Sequence, residues 1–216
     1  MKKRATARAF SPHAREGFGG CQSAQAPTAF EPSGTDRKMS TREEGAHAPA
    51  TLSAELRSYW EYVERAAENR EIILNRSPSH ASVILERLFS RSSELVCILT
   101  GDLTPQVYGQ EFVLDAIAAF LGRGRLEILT ERPLEKDHPL LARAHLAGLQ
   151  GQIQVTLVPQ DVTSRYGYHF AVGDGQHYRF EPDRANFEAI VQFGNASPGE
   201  ALVDAFRELQ QACSQL

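Results

Sequence analysis

Three short apolar runs, "ELVCILT" (94–100), "RLEILT" (125–130) and "QIQVTLV" (152–158), recur with a helical stretch between each successive pair. That alternation constrains the fold more than any other feature. Short runs of Val, Ile and Leu bounded by turn residues suit strands buried on both faces. Between the first two, "TPQVYGQEFVLDAIAAFLGRG" sets Phe112, Val113, Ile117, Phe120 and Leu121 on one helical face and ends at Gly122 and Gly124. Between the second and third, "DHPLLARAHLAGLQG" reads as a helix with Asp137 as cap, Pro139 in its first turn and Gly148 or Gly151 at its end. Strands linked through helices predict an α/β domain.

The flanks extend this pattern. Leu52, Leu56, Tyr59, Trp60, Val63 and Ala67 keep helical spacing, with Thr51 or Ser53 available as cap. "NRSPSHASVILERLFSRS" gives a second helix, with Pro78 in its first turn and Val83, Ile84 and Leu88 inward. Downstream, "YGYHFAVGDGQHYRFE" (166–181) reads as a β-hairpin turning on Asp174-Gly175. A strand "EAIVQFG" (188–194) and a helix from about Pro198 to Cys213 follow. The expected architecture is a mixed β-sheet sandwiched between helices in a single domain. Residues 1–50 form a disordered or non-native arm, 51–71 an N-terminal helix and 72–216 the α/β domain.

Charge divides along the same line. Residues 1–40 carry seven Lys/Arg and three Asp/Glu, whereas 41–216 carry sixteen and twenty-four. The first stretch is rich in Ala, Ser, Gly, Pro and Thr without hydrophobic periodicity, a composition that predicts disorder. Met39 is a candidate initiator inside it. No apolar segment follows the basic start, so a secretory signal is not expected. An acidic domain lacks the basic stripe of a phosphate-backbone binder, which disfavours nucleic acid as a partner. Three scattered cysteines, Cys21, Cys97 and Cys213, support neither a disulfide framework nor a zinc knuckle, and suggest a reducing compartment, the cytoplasm. No run of about 18 apolar residues is present, so no membrane span is expected.

The stretch from His80 to Thr130, a helix leading to a strand, a small polar turn, a second helix and a strand after "RGR", resembles the first half of a phospholipase D-like domain. The segment "YHFAVGDGQHYRFE" with "FEAIVQFGN" resembles the second half, in which a strand ends in "DG" and a partner strand returns. Together the resemblance covers about Ile72 to Cys213. It implies a metal-free, cofactor-free phosphodiesterase site built on H-x-K-x4-D: the histidine attacks phosphorus, the lysine holds phosphate oxygens and the aspartate supports them. Anchored on Asp174, that motif places its histidine at Gly167 and its lysine at His169, and no lysine follows Lys136. The usual mechanism is therefore not encoded. The resemblance also implies pairing of two such halves about a twofold, hence a homodimer bringing two copies of His169 together.

The expected function is thus a catalytically degenerate phospholipase D-like domain, a binding or regulatory module for a protein partner or a phosphate-bearing ligand. The alternative is a metal-independent phosphodiesterase or nuclease using His169, with Asn195 in "QFGNAS" as the loose match to the family's asparagine. His169, Asp102, Asp174 and Arg179 are the candidate ligand-binding residues. Each has a plainer reading: His169 as a hydrogen-bonded strand histidine, Asp102 as a loop residue, Asp174 as a turn residue, and Arg179 as the ion-pair partner of Glu181 two positions on. With a two-residue Asp174-Gly175 loop, Tyr178 and Phe180 share a face with His169, while His177 and Arg179 fall with Val172 and Phe170. His80, His138 and His145 lack the spacing of a metal site. In "LRSYWEYVERA", Tyr59, Trp60 and Tyr62 cannot all meet one core, which marks either a docking surface or a helix wedged between two surfaces of its own domain.

Overall fold

The computed structural model describes residues 47–215. The expectations for the arm, including Met39 as initiator, fall almost wholly on residues 1–46, outside the described residues. In chain order the elements are α1 (Ala54–Glu68), β1 (Ile73–Asn75), α2 (Pro78–Arg91), β2 (Leu95–Thr100), α3 (Pro105–Tyr108), α4 (Glu111–Leu121), β3 (Arg125–Thr130), α5 (Pro139–Leu146), β4 (Ile153–Leu157), α6 (Gln160–Thr163), β5 (His169–Gly173), β6 (His177–Glu181), β7 (Ala189–Gln192) and α7 (Ala196–Ser214). A 3₁₀ turn (Gln150–Gln152) leads into β4.

The strands form one seven-stranded mixed sheet in the order β1-β7-β6-β5-β2-β3-β4. The pairs β2–β3 and β3–β4 are parallel, and the others antiparallel. The mixed, helix-flanked α/β architecture expected from the sequence is present. Inward side chains alternate between two cores. Val96, Ile98, Leu126, Ile128, Ala171, Val191 and Phe193 pack with α1, α2, α4 and α5. Cys97, Leu99, Leu129, Phe170 and Val172 pack on the opposite face against α6 and α7, where Val162 and Phe206 are buried.

Several local expectations change. Strand β1 was not read from the sequence: three residues are too few for a periodic signal, and it exists through antiparallel pairing with β7. The helix expected across 104–124 is two, broken at Gly109-Gln110. Asp137 does not cap α5; His138 does, its Nδ1 accepting from Leu140 N–H at 3.3 Å while Nε2 lies 2.7 Å from the Leu103 carbonyl. Ser53, one of the two candidates, caps α1, with Oγ 3.3 Å from Leu56 N.

Helix α1 is wedged against α2 through a buried polar network. Trp60 Nε1 donates to Glu86 (2.8 Å), Arg87 bridges Glu86 (2.8 Å) and Glu64 (2.9 Å), and the Arg87 guanidinium lies 4.4 Å from the Trp60 ring centre. Tyr59 stacks on His80 at 3.7 Å, leaving Tyr62 outward and 40% exposed. The three aromatics thus point three ways.

The largest correction concerns the hairpin. Asp174 and Gly175 both have positive φ (50° and 65°), as a type I′ turn requires, and Gln176 N–H donates to the Gly173 carbonyl at 3.0 Å. Yet the ladder pairs Gly173 with His177, Ala171 with Arg179 and His169 with Glu181. Gln176 is an extra residue, its carbonyl accepting instead from Asn195 N–H at 2.9 Å. One inserted residue moves every later side chain to the other face. His169, His177, Arg179 and Glu181 therefore share a face, and Tyr178 and Phe180 lie with Phe170 and Val172, the reverse of the expected assignment.

Candidate functional site

After β2 the chain adds β3 and β4 on one side and then crosses back to lay β5 on the other, so the direction of strand addition reverses at β2. In open α/β sheets such a switch point opens a crevice at the carboxyl ends of the strands. Here it holds a cleft of about 290 Å³. Its walls come from the last residue of β2 and the two that follow (Thr100, Gly101, Asp102), Arg132 after β3, the first residue of β5 (His169), Arg179 and Glu181 of β6, and the loop carrying Arg184 to Phe187. Ala81 and Leu85 of α2 with Val107 and Tyr108 of α3 form the apolar side. Burial pushes the Tyr108 phenol up, so it stays protonated.

His169 is 9% exposed and sits between two carboxylates. Its Nε2 lies 3.3 Å from Glu131 Oε1 and its Nδ1 3.5 Å from Glu181 Oε2. A Cβ on Gly101 would stand 3.2 Å from His169 Cε1, so glycine there lets the backbone close against the ring edge between the two nitrogens. Burial works to raise the Glu181 pKa, but the His169 contact and Arg179 outweigh it and hold the carboxyl below its ordinary value. Arg179 pairs with Glu181 and fixes its own guanidinium by donating to Asn75 Oδ1 (3.2 and 3.0 Å) and to the Phe187 carbonyl (3.2 Å). Arg184 reaches Glu131 at 3.0 Å and the Thr163 carbonyl at 3.2 Å, and Arg132 pairs with Asp102 at 2.9 Å.

Three arginines thus meet three carboxylates around one histidine. Among the described residues the paired guanidiniums keep unused donors: Arg132 shows one hydrogen bond from its five N–H groups, and Arg184 bonds only through Nη1. These free edges suit an anionic oxygen, while no ring nitrogen of His169 is turned away from a carboxylate.

Of the residues singled out from sequence, His169, Asp102 and Arg179 come together in this cleft. Asp174 and Asn195 do not; they lie at the other end of the hairpin. Asp174 accepts from Ser93 N (2.7 Å), Ser93 Oγ (3.0 Å), Glu94 N (3.0 Å) and Leu95 N (2.9 Å), tying the hairpin turn to the start of β2. Burial works to raise its pKa, and these bonds outweigh it to leave the carboxyl low. Asn195 precedes α7, its side chain donating to Gln192 at 2.9 Å. His177, buried nearby, accepts from Gly194 N–H through Nδ1 at 3.1 Å. Burial, then Arg91, lowers its pKa and keeps it neutral. Arg123 of "GRGR" binds carbonyls of Ser92, Phe89 and Ala119 at helix ends.

Sequence reasoning missed Glu131, Arg132 and Arg184. The first two directly follow a strand, the same signal that marked Asp102 after β2. Arg184 sits in a loop without a pattern to mark it. Among the described residues no cluster of His, Cys, Asp and Glu is arranged to hold a metal ion. Nor is any helix long and apolar enough to cross a membrane.

No protein-family model matches the chain, and no curated protein matches it. Solved structures similar to it include TrmBL2, described as an archaeal chromatin protein with a novel mode of DNA binding (13% identity, TM-score 0.46, 74% of this chain and 61% of that one). They also include Nuc from Salmonella typhimurium, a phospholipase D family member (12%, 0.47, 65% and 94%), and NucT from Helicobacter pylori (12%, 0.44, 65% and 96%). The chain spans less than two thirds of the chromatin protein's length.

Proposed function

We propose that this domain is a phospholipase D-like module whose cleft binds a phosphate-bearing ligand without hydrolysing it. The placement of His169 carries this reading: it occupies the family's lysine position, and each of its nitrogens faces a carboxylate. A nucleophilic imidazole needs a lone pair aimed at phosphorus. Here either lone pair would point at Glu131 or Glu181 instead, while Gly167 leaves the family's histidine position without a side chain. The unused donors of Arg132 and Arg184 supply what an anionic group needs for charge-assisted hydrogen bonds. Their pairing with Asp102 and Glu131 makes the cleft close to charge-neutral, which favours a small ligand over a polyanion such as nucleic acid.

The test runs hydrolysis of a generic phosphodiester and of labelled single- and double-stranded nucleic acid in EDTA beside calorimetric titration with inorganic phosphate and phosphoserine. Wild type is expected to show no turnover, as is His169→Ala. Arg132→Ala is expected to weaken phosphate binding about tenfold, the loss of one charge-assisted bond. Metal-independent turnover abolished by His169→Ala establishes the alternative, a phosphodiesterase or nuclease with His169 at its centre. Absence of phosphate binding in wild type removes the phosphate ligand and leaves a protein partner as the remaining class.

A further inference from the structure

The two edges of the sheet are finished differently. β1, at one edge, has three residues and is bordered by charge: Arg76 pairs with Glu188 of the adjoining segment, and Arg70 and Glu71 precede the strand. Short, charged edges are how proteins block strand addition. Among the described residues, β4, at the other edge, has none of these devices. From Leu146 to Gln160, "LAGLQGQIQVTLVPQ", there is no charged residue, although 23% of the whole chain is charged. No proline interrupts the strand, and Val155 and Leu157 are 38% and 51% exposed on it.

The hydrogen-bonding direction of this edge follows from its pairing. Val158 N–H donates to the Thr130 carbonyl at 2.8 Å, so Val158, and by alternation Thr156 and Gln154, turn their peptide groups toward β3. Ile153, Val155 and Leu157 then present N–H and C=O outward. Their side chains lie on the face of the α2–α4 core, Val155 beside Ile128.

We infer that β4 is a homodimerisation edge, pairing antiparallel with β4 of a second copy about a twofold at Val155. The strand is patterned for its own reverse. Around Val155, "IQVTL" reads apolar, polar, apolar, polar, apolar in both directions. Antiparallel pairing at that centre sets Val155 against Val155, Ile153 against Leu157 and Gln154 against Thr156. The three outward-facing residues become hydrogen-bonded pairs exchanging both N–H···O=C bonds, and their apolar side chains cover one another. An unrelated peptide satisfies the backbone equally well, but this match of apolar to apolar and polar to polar is supplied by the strand itself. The result is one continuous sheet with seven strands from each copy.

This dimer differs from the one that the phospholipase D resemblance implies. Three strand spacings separate β5 from β4 in each copy, which puts the two His169 residues on the order of 30 Å apart. The antiparallel operation also opens the clefts at opposite ends of the joined sheet. The residues that line each cleft come from its own chain, so the inference stands apart from the ligand-binding proposal.

Sedimentation of the full chain across micromolar concentrations tests it, with circular dichroism as the folding control. Wild type is expected to be a dimer. Val155→Lys, which sets two ammonium groups against each other at an already exposed position, is expected to keep the fold and weaken association at least about tenfold. Gln154→Cys combined with Thr156→Cys is expected to cross-link across the twofold, because these two face each other as a non-hydrogen-bonded pair with Cα atoms about 4.5 Å apart and side chains closer, within disulfide reach. Wild type under the same oxidising conditions controls for the native cysteines. A wild type that stays monomeric overturns the inference. So does a dimer that survives Val155→Lys, or a Gln154→Cys, Thr156→Cys chain that fails to cross-link beyond the wild-type control.

Discussion

Asp174 shows how one residue can match a family motif yet sit far from the site. Its position in "DG" suggested ligand binding, but its two oxygens accept four hydrogen bonds from Ser93, Glu94 and Leu95 and join the hairpin turn to the strand that carries the cleft. Asp174→Ala is expected to lower stability by about 1–2 kcal/mol, because several of the freed N–H groups can turn to water while Leu95 N is partly buried. Chemical denaturation measures this, and the same variant should leave phosphate affinity within a factor of about two if the cleft stays closed around His169. A loss of binding without a loss of stability would place Asp174 back in the site. At the cleft itself, His169 was legible as a candidate from its position before the turn. Its two carboxylate neighbours were not, since Glu131 lies thirty-eight residues away and enters through the end of a different strand.

At the scale of elements, the long periodic helices and the three apolar strands were readable, because each declares itself within its own length. The hairpin shows the limit. A two-residue loop and a two-residue loop followed by one unpaired residue look alike in "GDGQH", yet they put Arg179 on opposite faces of the sheet. What selects the second is contact with other parts of the chain: the Gln176 carbonyl is taken by Asn195 N–H, and Arg179 finds Asn75 and the Phe187 carbonyl on the face it reaches. Deleting Gln176 restores the simple loop and drives a buried arginine, with Glu181 beside it, away from Asn75 and the Phe187 carbonyl. The expected cost is about 3 kcal/mol or more, as for stripping a buried charge of its polar partners, read as a lowered melting temperature or as failure to fold. Near wild-type stability in the deletion would show that the extra residue does not set the register.

For the whole molecule, acid is the condition that reaches every layer at once. Asp174, Glu181 and Glu127 all have carboxyls held low; in each, burial opposes and hydrogen bonds prevail, those to Glu127 coming from Arg207, Arg125 and Gln210. A depressed folded pKa gives stability that is complete above the ordinary value, 3.8 for Asp174 and 4.5 for the glutamates, and is lost as pH falls through the folded value. His177, held neutral with its pKa below the ordinary 6.5, acts in the same direction from a higher starting point. Stability is therefore expected to decline gently below about pH 6.5 and steeply below about pH 4.5. Denaturant midpoints measured across pH check this, and His177→Gln should remove the upper, shallower limb alone.

What the sequence determined by itself is what depends on neighbours along the chain: the helix periods, the apolar strands, the acidic domain, and the absence of any lysine where the phospholipase D-like motif requires one. Those features were enough to define the α/β class. Tertiary structure alone decided the strand order, the one-residue shift at Gln176, the existence of β1, the ring of Glu131, Glu181 and three arginines around His169, and the place of β4 at the end of the sheet. Each is a relation between segments tens of residues apart. The free energy that selects it comes from pairing and burial between those segments, and local propensity carries no record of that choice.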